Sequence, residues 1–104
     1  MNKKILIEAI KLKRFEWRKH TLQRLSERKI SLESVIKIIL DSEQIEDYHD
    51  SKPFPCALFL GFIEGRPLHV VTALDEVNKW AYIITAYEPS LEYFESDFKT
   101  RRKK

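Results

Sequence analysis

Five side chains carry types and spacings that could do chemistry on a phosphodiester. His20, Arg24 and Arg28 recur at every fourth position. On a helix turning about 100° per residue they fall within roughly 80° of one another, mostly clear of Leu22 and Leu25. An imidazole exchanges protons near neutral pH, and guanidinium groups hold a phosphate through paired hydrogen bonds. Cleaving a phosphodiester at a ribose needs both: proton transfer at the hydroxyl or leaving oxygen, and stabilised charge at phosphorus. The same spacing also fits a solvated helix face on which the arginines, Glu16 and Glu27 form weak ion pairs. Spacing alone leaves both readings open.

The other two residues, Thr85 and Tyr87, stand two apart in Thr85-Ala86-Tyr87-Glu88-Pro89. On a strand they point to one face, where a hydroxyl and a phenol could contact a phosphate or stack on a base. A half-buried strand reads the same way. His69 opens an apolar strand and is either a structural histidine or an imidazole presented at the sheet edge. His49 falls in a polar loop. Three separated histidines and one cysteine, Cys56, give no metal-ligand spacing, so no metal and no cofactor are expected. Cys56 is expected to be buried and inert. A Gly-rich phosphate loop, a nucleophile elbow and paired carboxylates are all missing, which removes nucleotide hydrolases and glycosidases from consideration.

The elements that must position these groups follow from periodicity. Residues 2–13 form an amphipathic pattern with Ile5, Ala9 and Leu12 on one side. Phe15-Glu16-Trp17 alternates as an extended segment. Arg18 to Arg28 reads as a helix with Leu22 and Leu25 inward. Ser31 caps a further helix whose Leu32, Val35, Ile36 and Ile39 make one apolar stripe. The period then changes. Gln44–Tyr48 suits a charged edge strand, Pro53 and Pro55 mark a loop, and Ala57–Ile63 suits a central strand. Glu64-Gly65 turns the chain into Pro67–Leu74, and after a longer turn Trp80–Tyr87 makes another strand. Residues 91–98 are expected to form a short terminal helix. The order predicts an α+β domain: N-terminal helices on an antiparallel sheet of three to four strands, closed by that helix.

A chain of 104 residues with 43% apolar content can build one core, which argues against wholesale disorder. No apolar run approaches a membrane span and no signal-peptide pattern appears, so a cytoplasmic protein without membrane partners is expected. The net charge of +3 hides an asymmetry. Residues 1–29 carry +7, residues 30–97 carry −9 and residues 98–104 carry +5. Basic ends around an acidic middle suit a surface that holds a polyanion, or equally a solvated arm and tail. The organisation expected is a basic helical extension over 1–14, one domain over 15–98 and a basic tail over 99–104.

Several stretches together resemble the domain-of-unknown-function 4258 family. They are Trp17-Arg18-Lys19-His20, Arg24-Leu25, Glu27-Arg28-Lys29-Ile30-Ser31, Ile45-Glu46-Asp47-Tyr48, Leu68-His69-Val70-Val71, Ile84–Pro89 and Asp97–Arg101. That family is similar to the small bacterial ribonuclease toxins of RelE-like fold, which place helices against a curved antiparallel sheet. The resemblance implies the toxin of a toxin–antitoxin pair, cleaving RNA (ribosome-associated mRNA among its forms) without a metal, with a cognate antitoxin as protein partner. It implies His20, Arg24, Arg28 and Tyr87 as catalytic groups, with Thr85 and, more loosely, His69 contacting RNA. Lys99, Arg101 and Arg102 of the basic tail are expected to contact RNA through their charge. A non-catalytic module of the same fold, binding RNA or a protein, is the alternative.

Overall fold

A computed structural model describes residues 1–103. Three helices, α1 (Lys3–Lys11), α2 (Thr21–Glu27) and α3 (Leu32–Asp41), accompany five strands. The strands are β1 (Phe15–Trp17), β2 (Glu43–Tyr48), β3 (Cys56–Ile63), β4 (Arg66–Asp75) and β5 (Trp80–Tyr87). They form one open sheet in the order β1-β5-β4-β3-β2. The sheet is thus larger than the three to four strands expected, and it is mixed. Phe15-Glu16-Trp17 pairs in parallel with Ala81, Tyr82 and Ile83, whereas every other neighbour is antiparallel. A three-residue alternation is too short to announce its partner, and only the fold supplies one.

Helices α1 and α3 start where side chains satisfy their free N–H groups. Asn2 Oδ1 accepts from the Ile5 N–H at 3.2 Å, and Ser31 Oγ accepts from the Ser34 N–H at 3.1 Å. From α1, Leu6, Ala9 and Ile10 are buried; from α3, Val35, Ile38 and Ile39. These pack on Phe59, Val70, Leu74, Ala81 and Ile83 to make the core. Both stripes are therefore rotated from those expected. Leu12 falls at the C-cap of α1 and is 60% exposed, and Leu32 of α3 is also exposed. Leu32 and Ile36 instead line a shallow apolar groove with Phe15, Trp17 and Leu40. Residues 1–14 contribute to the same core as the rest of the chain.

Helix α2 begins three residues later than expected, because the sheet claims Arg18. Its N–H donates to the Ile83 carbonyl at 3.2 Å, continuing the β1 ladder. The buried residues of α2 are Thr21 and Leu25, while Leu22 is exposed. Thr21 replaces Leu22 as the inward residue because its Oγ1 donates to the Ile84 carbonyl at 2.7 Å.

No helix forms over 91–98. Ser90 Oγ accepts from the Glu92 N–H, and one turn follows through Tyr93 and Phe94. Asp97 Oδ1 then accepts from the N–H groups of Lys99 and Thr100. Side chains that bond nearby backbone in this way compete with helix. Phe98 sits at φ 61°, and the segment doubles back so that Phe94 bridges Arg101.

The tight turn between β3 and β4 has positive φ at both Glu64 and Gly65, as a two-residue hairpin requires. Gly61 serves a different need, since a Cβ there would lie 2.5 Å from Ile38 Cγ1 and 2.6 Å from Ser42 Oγ. Gly61→Ala is expected to cost about 1–3 kcal/mol by crowding α3. Gly65→Ala, open in space but at φ 80°, should cost about 1–2 kcal/mol through backbone strain alone. Urea denaturation distinguishes the two causes. Asn at 65 should recover part of the loss because it tolerates left-handed backbone, whereas Ser at 61 should recover nothing.

Candidate nucleic-acid interface

One face of the sheet carries the helices; the other presents cross-strand rows that end on β5. Glu43, Leu60, His69 and Tyr87 form one row, and Glu46, Leu58, Val71 and Thr85 the next. A third runs through Tyr48, Cys56, Ala73 and Tyr82. The register shift at Val71/Thr72 places an extra residue, Ile84, in β5 between the second and third rows. Alongside Ile84 the edge of β5 is no longer covered by β1, and α2 lies there instead.

A hollow of about 340 Å³ opens at this junction, lined by Arg18, Lys19, His20, Thr21, Arg24 and Ile84. Its lining holds three permanent cations and an imidazole but no carboxylate. Such a convergence repels itself and is relieved by an anion, the electrostatic condition for phosphate binding. His20 is the N-cap residue of α2, yet its side chain caps nothing, and the exposed ring has no hydrogen-bond partner among the described residues.

Arg28 lies one turn further along and is half-buried. Its Nη1 donates to the Ala86 carbonyl at 2.8 Å and to Thr85 Oγ1 at 3.3 Å. Thr85 and Tyr87 do share a face, as their spacing requires. Tyr87 is joined not to α2 but to His69, with its hydroxyl 3.4 Å from Nδ1. At a strand rise of about 3.3 Å per residue, Ile84 and Tyr87 are separated by roughly 10 Å. The five candidates and His69 therefore divide into adjoining groups along β5: His20 with Arg24, Arg28 with Thr85, and Tyr87 with His69.

His69 is fully buried. Phe94 packs edge-on at 4.7 Å, and Nε2 donates to the Phe98 carbonyl at 2.6 Å, which leaves Nδ1 as acceptor for the Tyr87 hydroxyl. Burial lowers the imidazole below its usual range, outweighing the Phe98 carbonyl and Glu46, which favour the cation. Burial likewise raises the Tyr87 phenol, so at neutral pH it is a donor. The ring ties β4 to the C-terminal segment and has no exposed surface for a ligand.

Three basic residues of that segment, Lys99, Arg101 and Arg102, are paired within the protein. Lys99 meets Glu43 at 3.4 Å and Arg102 meets Glu95 at 2.8 Å. Arg101 grips both oxygens of Glu46 at 2.8 and 2.9 Å and stacks over Phe94. Glu46 also accepts from the Tyr48 hydroxyl. Burial raises the Glu46 pKa, but the bonds from Arg101 and Tyr48 outweigh it and hold the carboxyl below its usual range. Asp47 faces the amino terminus and Asp50 faces His49, so these acids are engaged elsewhere than on α2.

Two features went unread in the sequence. Arg18 and Lys19 were visible as a basic run, but only the fold turns them into the hollow. Tyr82 alternates with Trp80 on the strand that carries Thr85 and Tyr87, a pattern that could have marked it. Cys56 is half-buried, with Sγ 3.4 Å from Ser51 Oγ. Among the described residues no group of His, Cys, Asp or Glu is arranged to hold a metal ion. No helix among them is long and apolar enough to cross a membrane.

Residues 17–88, from the end of β1 to just past β5, match the family described as a domain of unknown function (DUF4258). The chain belongs to that family. No curated protein and no solved structure matches it.

The buried imidazole makes stability depend on pH. The unfolded chain takes up the His69 proton near pH 6.5, before the folded protein does. Its contribution is therefore complete above that pH and declines below it. Asp97 is held at about 2 by the Thr100 hydroxyl and by the N–H groups of Thr100 and Lys99. Its contribution is present above roughly pH 4 and is lost as pH falls towards 2. Urea midpoints should drop between pH 7 and 5 in the wild type and flatten over that interval in His69→Asn. Parallel curves for the two proteins would mean that His69 titrates as a solvated imidazole does.

Proposed function

We propose that this domain binds RNA through the hollow beside α2 and cleaves it there, as the toxin of a bacterial toxin–antitoxin pair. The observation that carries the proposal is the gathering of Arg18, Lys19, His20 and Arg24 around Ile84 with no acid in the lining. A phosphate seated there neutralises the cations and lies beside a free imidazole. His20 takes the proton of the ribose 2′-hydroxyl or supplies one to the leaving oxygen. In the first case O2′ bonds to phosphorus as the P–O5′ bond breaks and the departing O5′ takes a proton from water, with no metal taking part. Arg24 meets the charge developing on the phosphoryl oxygens, with Arg18 and Lys19 adding field. Arg28 fixes the second half of β5, where Thr85 and Tyr87 orient the next nucleotide. The cognate antitoxin would be the protein partner, and RNA the substrate, in the cytoplasm.

A second reading keeps the binding and removes the chemistry. It is favoured by one observation: among the described residues, none gives the His20 imidazole an orienting hydrogen bond. Catalytic histidines commonly have such a partner. RNA cleavage separates the readings. In the first, His20→Ala should lose about 10²–10⁴-fold of the rate and Arg24→Ala about 10²–10³-fold. Because both side chains are exposed, thermal stability should change by no more than about 0.5 kcal/mol. Wild-type protein that binds a mixed RNA pool yet leaves it intact would establish the second reading instead.

A further inference from the structure

The hollow has a flank of a different chemistry from its cationic lining. The Arg18 guanidinium carbon lies 4.7 Å from the centre of the Tyr82 ring. Tyr82 in turn stacks on Phe54, with centroids 5.5 Å apart and planes within 2° of parallel. A guanidinium, a phenol and a phenyl ring thus succeed one another from the α2 side across the open face of the sheet. The root of Arg18 is fixed, because its backbone N–H belongs to the β1–β5 ladder.

Its head is less committed than those of Arg14, Arg28 and Arg101. Arg14 sits over Trp80 at 5.8 Å, but its guanidinium is tied to the carbonyls of Asn78 and Lys79. Arg28 is tied to Thr85 and Ala86. Arg101 is held by Glu46 and Tyr48. Arg18 is exposed and, among the described residues, has no acid partner. A flat cation supported from beneath by an aromatic ring, with its other side towards solvent, suits a nucleobase.

We infer that Arg18, supported by Tyr82 and Phe54, is the platform for one unpaired base, making the hollow selective for single-stranded over duplex RNA. The inference rests on the reading that the hollow seats an RNA phosphate. A nucleotide whose phosphate lies at His20 and Arg24 has its base within reach of Arg18, which lines the same hollow. In a duplex that base is paired and stacked within the helix, and its face is not available. Single strands expose a π-face on every base, so the platform favours strandedness more than sequence.

The test uses fluorescence anisotropy with three ligands of equal length: a 2′-O-methyl single strand, its duplex, and an abasic ribose–phosphate oligomer. The methyl group blocks the attacking oxygen, so binding is read without cleavage. Wild-type protein should prefer the single strand to the duplex by at least about tenfold. Arg18→Lys, which keeps the charge and removes the flat face, should weaken single-strand binding about 5- to 150-fold, the range for one stacked base. The same variant should change binding of the abasic oligomer less than about twofold. Equal losses on the base-bearing and abasic strands, or no loss on either, would reduce Arg18 to a point charge and overturn the platform. Equal wild-type affinity for single strand and duplex would overturn it too, while leaving RNA binding at the hollow intact. Failure of wild type to bind any of the three would bring down the RNA reading itself.

Discussion

Strand β5 has an edge that no single partner covers. Strand β1 pairs only with Ala81–Ile83, and beyond that point the β5 carbonyls need other donors. Helix α2 supplies them from side chains: Thr21 to Ile84, and Arg28 to Ala86. A buried carbonyl left without a donor would cost as much as the bond it lacks, so α2 is held against the sheet by hydrogen bonding as well as by Leu25. The change from strand to helix along one edge creates the gap above Ile84, and the basic run Arg18-Lys19-His20 falls in it because it is the connection between the two.

Much of the fold was legible because it follows from local chemistry. Ser31 marked the start of α3, Glu64-Gly65 marked the hairpin, and the β-branched and aromatic runs marked β3, β4 and β5. What escaped was set by tertiary partners. The inward residues of α2 are Thr21 and Leu25 rather than Leu22 and Leu25, because a hydroxyl was needed against the β5 carbonyls. The terminal helix failed where Asp97 captured backbone N–H groups, a competition that hydropathy does not register. The sequence showed the candidate residues but not their grouping. The four-residue spacing placed His20, Arg24 and Arg28 on one side of a helix, yet could not show that Arg28 turns into the sheet while the other two remain outside.

The charge asymmetry of the chain is partly resolved within the molecule. The basic end folds over the acidic edge strand, with Lys99 on Glu43 and Arg101 on Glu46. These pairs stand at the edge strand β2, where exposed backbone invites unwanted pairing and where charge and a covering segment discourage it. Beneath this segment lie Leu60 and His69, both buried. The N-terminal positive charge has no equivalent counterpart around the hollow. The two basic ends thus do different things: one pairs with the acidic edge strand, and the other leaves cations facing solvent.

Arg66 adds a constraint at the far end of α2. Its guanidinium donates to the carbonyls of Arg28 and Lys29 and pairs with Glu88, so one side chain from the start of β4 joins the last turn of α2 to the residue following β5. With Thr21 fastened at the opposite end, the helix is pinned at both extremities and has little freedom to slide along the strand. A ligand arriving at the hollow would find its walls already in position. The backbone is thus already ordered before association, and the exposed side chains of Arg18, Lys19, His20 and Arg24 are what a ligand would still have to immobilise.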